Sequence, residues 1–185
     1  KTRRPYRDYI SWLLKQDQNK AKKYWEGKLL GVTPTKLSDK QVAESNENAE
    51  HTVILGTEEV DLLSNYAKSI GVTVNTVLQC IWSILLSKYT RQEDIVFGVT
   101  VSGRNINLPG VEDMVGIFIN TLPIRIQLRP NEAIKDLLRK LQVQMSEAQE
   151  YGYLPLSTIQ SLQKERDLFD SIYLFENYPI IRQKV

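Results

Sequence analysis

The sequence predicts an α/β chain, a mixed sheet with helices packed on it. Three observations carry this. The runs at 95–101 and 121–128 are β-branched and apolar, with the length and composition of buried strands. The second run leads into a long segment of helical period and then a further strand-like stretch, and a strand, helix, strand order favours mixed or parallel pairing. The apolar positions between Val74 and Tyr89 form a stripe wide enough to require burial on more than one side, as in a helix held between a sheet and other helices. With 185 residues, 42% hydrophobic and 25% charged, one ordinary domain accounts for the composition.

Residues 6–29 read as two helical pieces: Tyr6, Tyr9, Ile10, Leu13 and Leu14 recur at helical spacing, then Ala21, Tyr24, Trp25 and Leu29 resume it, with Gly31 as the stop. The aromatic stripe is read as core packing. Hydrophobic residues thin out over 32–50, which predicts a loop. Residues 51–55 alternate as a short strand. Thr57 offers an N-cap oxygen, with Glu58 and Glu59 in the first turn, for a helix whose face is Val60, Leu63, Tyr66, Ala67 and Ile70 and whose stop is Gly71. Thr73 caps the next helix, with Val74, Val77, Leu78, Ile81, Trp82, Leu85 and Tyr89 expected toward the core and Cys80 and Ile84 widening the stripe. The strand at 95–101 then runs into Ser102, Gly103 and Arg104, so a buried strand delivers a cation to its exit, which either pairs with an acid or faces water. A polar loop fills 105–114. After the second strand, Arg129 and Pro130 break the chain and Asn131 is expected to cap a helix carrying Ile134, Leu137, Leu138, Leu141, Met145 and Ala148. Ser157 and Gln160 have capping-box spacing. Residues 168–175 read as a last strand that carries Glu176 and Asn177 to its end.

The charge balance excludes some functions. Twenty-four basic against 22 acidic residues give no electrostatic case for nucleic acid or a membrane surface. The Lys1, Arg3 and Arg4 cluster reads as a linker end. One cysteine and one histidine, Cys80 and His51, supply neither a disulfide framework nor a zinc set. Cys80 lies in an apolar helical pattern and reads as an inert core thiol, and His51 reads as a solvated surface residue. There is no glycine-flanked nucleophile elbow and no phosphate-cradling glycine loop. No apolar run approaches a membrane span and no signal segment opens the chain, so the expected setting is cytoplasmic and reducing.

The stretch from Val115 to Arg125 reads as the candidate site. Asn120 and Thr121 interrupt an apolar run, which is costly unless their amide and hydroxyl are paired. Pro123 removes a backbone donor and fits an edge strand or a strand start. Both a buried strand with locally satisfied polar groups and a ligand site fit these residues. In either case the Asn120 amide is expected to bond backbone of a neighbouring loop.

Gly116, Phe118, Asn120, Thr121, Leu122, Pro123, Ile124 and Arg125 resemble the GxFxNT(L)P(L)R signature of condensation domains of nonribosomal peptide synthetases, members of the chloramphenicol acetyltransferase-like superfamily. Tyr6, Asp8, Tyr9 and Trp12 are similar to that family's YxDYAxW segment. Ser102, Gly103 and Arg104 match its SGR turn, and residues 153–160 and 168–179 resemble its last two blocks. The resemblance implies one lobe of a two-lobed fold, the C-terminal one: residues 1–30 would be a helical lead-in from the upstream lobe, 31–50 a loop and 51–185 the lobe. It implies peptide-bond formation in the complete domain between a carrier-bound acyl thioester and a carrier-bound amine.

The family's HHxxxDG motif has no counterpart around the single histidine, so no catalytic residue is expected here and the chain alone is expected to be inactive. By the same resemblance Arg104 would make a salt bridge to the aspartate of that upstream motif while facing solvent in this lobe alone. Gly116, Asn120, Thr121 and Asn177 would lie on the tunnel floor or acceptor side. No cofactor would be bound directly; phosphopantetheine arms of carrier domains would enter the tunnel. The implied partners are the N-terminal lobe and the upstream and downstream peptidyl carrier domains, with no nucleic acid and no membrane. The segment around Arg166 and Asp167 is shorter than the family's usual form. The stretch at 115–125 resembles peptide-forming domains more than epimerising ones. A noncatalytic carrier-docking module and a fragment of a carrier-independent acyltransferase are the alternatives.

Overall fold

The computed structural model describes residues 3–37 and 49–176. Its centre is a strand buried on both faces, β1 (Asp94–Val101), in which Ile95, Val96 and Phe97 are fully buried in succession. Consecutive burial is what a strand covered on both sides requires, and it explains why no alternation is visible in its sequence. β1 pairs antiparallel with β2 (Asn120–Gln127), from Asp94 opposite Gln127 to Val101 opposite Asn120. On its other side it pairs in parallel with a two-residue strand, β3 (Ile172–Tyr173). The sheet is therefore mixed, as expected from sequence, and its order is β2-β1-β3. Pro123 lies on β2, an edge strand among the described residues, where a missing donor is tolerated.

Six α-helices accompany the sheet among the described residues: α1 (Tyr6–Leu13), α2 (Gln18–Leu29), α3 (Thr57–Ile70), α4 (Val74–Thr90), α5 (Ile134–Glu150) and α6 (Leu156–Ser161). Helix α4 packs on β1 and α5 on β2, and the two helices meet each other. α2 places Ala21, Trp25 and Leu29 in the same core as the strands, and Trp25 Nε1 donates to the Tyr151 carbonyl at 3.2 Å. The helical lead-in is thus packed into the body of the chain. α1 builds a second cluster in which Tyr6, Tyr9 and Trp12 pack around Phe118, Leu108, Val111 and Met114. No single described helix is long and apolar enough to cross a membrane.

Several local expectations are corrected. Residues 51–55 form no strand: Val53 is 70% and Ile54 87% exposed, with no described strand alongside to complete a ladder. Helix α3 starts at Thr57 itself, so the cap is Gly56, whose N–H donates to the Glu59 carboxylate at 2.6 Å. The Thr73 cap on α4 is found as expected, its hydroxyl accepting from Thr76 N at 3.1 Å. Yet α4 is turned relative to its expected face. Val77, Cys80, Ser83 and Leu86 face inward, whereas Ile81, Leu85 and Tyr89 are each more than half exposed.

Asn131 does not cap α5. It takes a left-handed conformation (φ 69°) in the turn after Pro130, and the helix begins behind Ala133. Ile134 is accordingly half exposed, while Leu137, Leu138, Leu141, Met145 and Ala148 are buried as expected. Ser157 sits inside α6, whose N-cap is Pro155. The last strand shrinks to Ile172–Tyr173, because Leu168 and Phe169 turn instead against Thr35, the Thr35 N–H donating to the Leu168 carbonyl at 2.9 Å.

Cys80 is buried, and desolvation pushes its thiol pKa up, as befits an inert core residue. Burial also raises the Tyr173 phenol from its ordinary 10.0 to about 12. A phenol that is neutral in the folded chain and ionised in the unfolded one costs stability only above its unfolded pKa. Stability should therefore be unaffected by Tyr173 below about pH 10 and fall as pH rises toward 12; melting curves across this range should be less pH-dependent in Tyr173→Phe than in the parent.

Candidate functional site

Beyond residue 99, β1 outruns its short parallel neighbour β3, and the gap at its carboxyl end is a cleft of about 460 Å³. Its floor is Val99, Thr100, Val101 and Ser102 of β1 and the turn that follows. Tyr9 and Trp12 of α1, Asn75 of α4, and Gln149 and Glu150 of α5 stand around it, with Tyr153 and Phe175 closing two sides. A crevice at the carboxyl end of a parallel pair is a usual place for a ligand, since the chain must leave the sheet there and its loops diverge.

The turn after β1 is dictated by Gly103. Its φ of +66° is left-handed, and a Cβ there would lie 1.8 Å from the Phe118 carbonyl oxygen, so only glycine lets the 103 turn and the 118 segment meet. That meeting sets Arg104. Its guanidinium lies 4.0 Å from the Phe118 ring centroid and donates to the carbonyls of Val111 and Met114, the second at 3.0 Å. The expectation that Arg104 simply faces solvent in this lobe is corrected: it is half-buried and ties down the loop leading to Gly116. Arg104→Ala should cost about 1–3 kcal/mol through two lost charge-assisted hydrogen bonds and the ring contact, measured by urea unfolding of the chain. An unchanged midpoint would mean these contacts carry nothing.

Gly116 is needed for a different reason: a Cβ there would come within 2.1 Å of the Tyr6 ring, which packs against this backbone and donates its hydroxyl to the Ile117 carbonyl. Asn120 is bonded as the sequence requires. Its Nδ2 donates to the carbonyls of Gly152 at 2.8 Å and Leu154 at 2.9 Å, and its Oδ1 accepts from Thr121 N at 2.9 Å. Neither Asn120 nor Thr121 lines the cleft directly. Asn120 reaches it through Gly152 and Tyr153, which do line it, and Thr121 pairs across the sheet with Thr100 of the floor. Asn177 lies outside the described residues.

Arg125, the last residue of the motif, works at the opposite end of the sheet. It grips both Asp94 oxygens at 2.6–3.1 Å and donates to the carbonyls of Lys28 and Leu30, fixing α2 to the strands; the Asp94 hydrogen bonds, chiefly, raise its pKa. Its role is architectural.

Chemically the cleft is nearly neutral. Among the described residues no lysine or arginine lines it, Glu150 is its one carboxylate, and burial raises the phenols of Tyr9 and Tyr153 above their ordinary value. A neutral phenol with a raised pKa is a poor base near pH 7. The described residues hold no group of three or more histidine, cysteine, aspartate or glutamate side chains fit for a metal. His51 is exposed and lies outside the cleft. The arrangement can bind and orient a neutral ligand, and Glu150 is the one side chain of its described lining that could take a proton.

Sequence reasoning placed Gly103, Arg104, Gly116 and Asn120 around this end of β1. It missed the cleft's own lining of Asn75, Gln149, Glu150 and Phe175, it read Tyr9 as core packing, and it gave Trp12 no place in the site. The available signal was the aromatic cluster itself. Trp12 meets Tyr153 edge-on at 6.3 Å, a contact between opposite ends of the chain that no periodicity links.

The sequence matches the family described as "Condensation domain" over residues 1–185. Among curated relatives, bacitracin synthase 3 of Bacillus licheniformis is 41% identical over 181 residues, covering 96% of this chain and 3% of that protein. Surfactin synthase subunit 3 of Bacillus subtilis (strain 168) is 39% identical over 180 residues, covering 96% of this chain and 14% of that protein. Among solved structures, the SgcC5 protein from Streptomyces globisporus superposes with a TM-score of 0.77 at 18% identity, over 96% of this chain and 42% of that one. The first condensation domain of the CDA synthetase gives a TM-score of 0.73 at 20% identity, over 94% and 38%. The chain thus spans a small part of the curated relatives it matches and less than half of these two solved chains.

Proposed function

Because the chain belongs to the condensation domain family of nonribosomal peptide synthetases and has the chloramphenicol acetyltransferase-like fold, we propose that it is the C-terminal lobe of a peptide-bond-forming domain. In the complete domain it supplies one wall of the channel in which a carrier-bound amine meets a carrier-bound acyl thioester. The observation that carries this reading is the cleft at the end of β1, lined by aromatic and carboxamide side chains with no lysine or arginine among its described lining and walled by a loop that Asn120 holds through two carbonyls.

The reaction itself sets what each part must do. The amine nitrogen attacks the thioester carbonyl carbon, the C–N bond forms, the C–S bond breaks, and the proton lost by the amine ends on the departing thiol. The proton-handling group comes from the upstream lobe, in keeping with the absence of a histidine among the described cleft residues. This lobe contributes proximity and orientation: a pre-shaped cleft, shielded by aromatic side chains, that converts a bimolecular encounter into reaction at fixed distance. Gly116 and Thr121 support that wall from behind.

Arg104 uses two of its five N–H donors on Val111 and Met114, leaving donors for an acid from outside the chain. That acid is the aspartate of the upstream lobe's HHxxxDG loop, so that Arg104 orients the loop across the lobe boundary. The phosphopantetheine arms belong to the partner carrier domains, and none is held covalently here.

The test is transfer in trans. Carrier-bound acyl thioester and carrier-bound aminoacyl thioester are incubated with the chain alone, with the upstream lobe alone and with both, and the condensed product is followed by mass spectrometry. Product with both lobes and background with either alone is expected. Product formed by this chain alone would overturn the assignment.

A further inference from the structure

One pair of side chains beside the cleft is not explained by packing. Gln79, in the second turn of α4, is fully buried. Its Nε2 donates to Oδ1 of Asn75, one turn earlier, at 3.1 Å, while its own Oε1 has no hydrogen-bond partner among the described residues. A half-satisfied amide in a core is destabilising, and a leucine of similar size would remove that cost. What the amide achieves is the orientation of Asn75. With Oδ1 engaged from within the helix, the Asn75 amide keeps Nδ2 without a hydrogen-bond acceptor among the described residues, and Asn75 is part of the cleft wall.

The chemistry of that wall selects the ligand. Asn105 donates to Gln149 Oε1 at 3.0 Å, so a second pair of carboxamides in the lining is pre-oriented. Carboxamides offer a donor and an acceptor without charge, which suits a ligand that is itself an amide. An anionic ligand would meet Glu150 and no described lysine or arginine in the lining. We propose that Asn75 donates a hydrogen bond to a carbonyl oxygen of a neutral, secondary-amide-bearing chain lying in the cleft, with Gln79 as its positioning residue. This rests on reading the cleft as the substrate channel. The amide chain has two possible sources of the same chemistry, a pantetheine arm and a peptidyl segment.

The test titrates pantetheine and, separately, N-acetyl-dialanine methylamide into the isotope-labelled full chain, following the Asn75 side-chain amide resonances and the dissociation constant. At least one probe should move those resonances, and the probe that does identifies the source. Asn75→Ala should weaken that probe about tenfold, and Gln79→Leu should weaken it about threefold while the unfolding midpoint holds or rises. A purely structural Gln79 would leave affinity untouched. Parent-like affinity in both variants overturns the proposal while leaving the channel reading intact. Failure of the parent to bind either probe also overturns it, and the channel reading is then judged separately by transfer in trans.

Discussion

Asn120→Ala should lower the stability of the chain by about 2–4 kcal/mol and, in the complete domain, reduce turnover as well. The side chain makes three hydrogen bonds, two of them donated to carbonyls of the 152–154 loop. Truncation strands both carbonyls and the Thr121 N–H at a half-buried strand start, where water restores only part of what is lost. Asn120→Asp should be at least as damaging. A carboxylate keeps the acceptor for Thr121 N but sets negative charge against two carbonyl oxygens in place of two donors. Urea unfolding of both variants checks the magnitudes. If Asn120→Ala unfolds at the parent's midpoint, the clamp is not what holds the cleft wall.

Gly103→Ala should be the most damaging change of a single methyl group, at about 3 kcal/mol or more. Two penalties coincide there. The left-handed backbone costs an alanine roughly 1–2 kcal/mol by itself. The added Cβ would also sit 1.8 Å from the Phe118 carbonyl oxygen, a rigid backbone atom, so the 103 turn and the 118 segment must part. That separation removes Arg104 from Phe118 and from the Met114 carbonyl, and it opens the floor of the cleft at Ser102. Calorimetry should record a fall in melting temperature larger than that of Arg104→Ala. A Gly103→Ala chain that melts with the parent would show that the turn relaxes freely.

What could be read from the sequence was whatever is decided locally. The strand at 95–101 announces itself by β-branched residues, the Thr73 cap by a hydroxyl before an apolar run, and the Asn120 bonds by the cost of an unpaired amide among Ile117, Phe118 and Leu122. What could not be read depends on which neighbour arrives. Residues 51–55 have a strand's alternation but no described partner, and alternation without a partner makes no ladder. The stripe on α4 is apolar nearly all round, so periodicity could not say which side would be covered, and the packing buries Val77, Cys80, Ser83 and Leu86. Asn131 could serve equally as a helix cap or as a left-handed turn residue, and the Arg129–Pro130 break selected the turn. The cleft itself arises because β3 stops at Tyr173 while β1 continues, a property of two segments far apart in the chain.

If the cleft at the carboxyl end of β1 receives the carrier-borne substrate, a cysteine placed in it should be reached by the carrier's arm before one placed elsewhere. A carrier domain whose pantetheine arm ends in a bromoacetyl amide is mixed with both lobes, the chain carrying either Ser102→Cys, in the cleft, or Arg129→Cys, exposed at the far end of the sheet. The introduced thiolate displaces bromide and forms a thioether, while the buried native Cys80, its thiol pKa raised, stays unmodified. Crosslinking at position 102 that outpaces position 129 at least tenfold, and that free pantetheine suppresses, is the expected result. Equal or faster crosslinking at position 129 would contradict the assignment of this cleft as the channel.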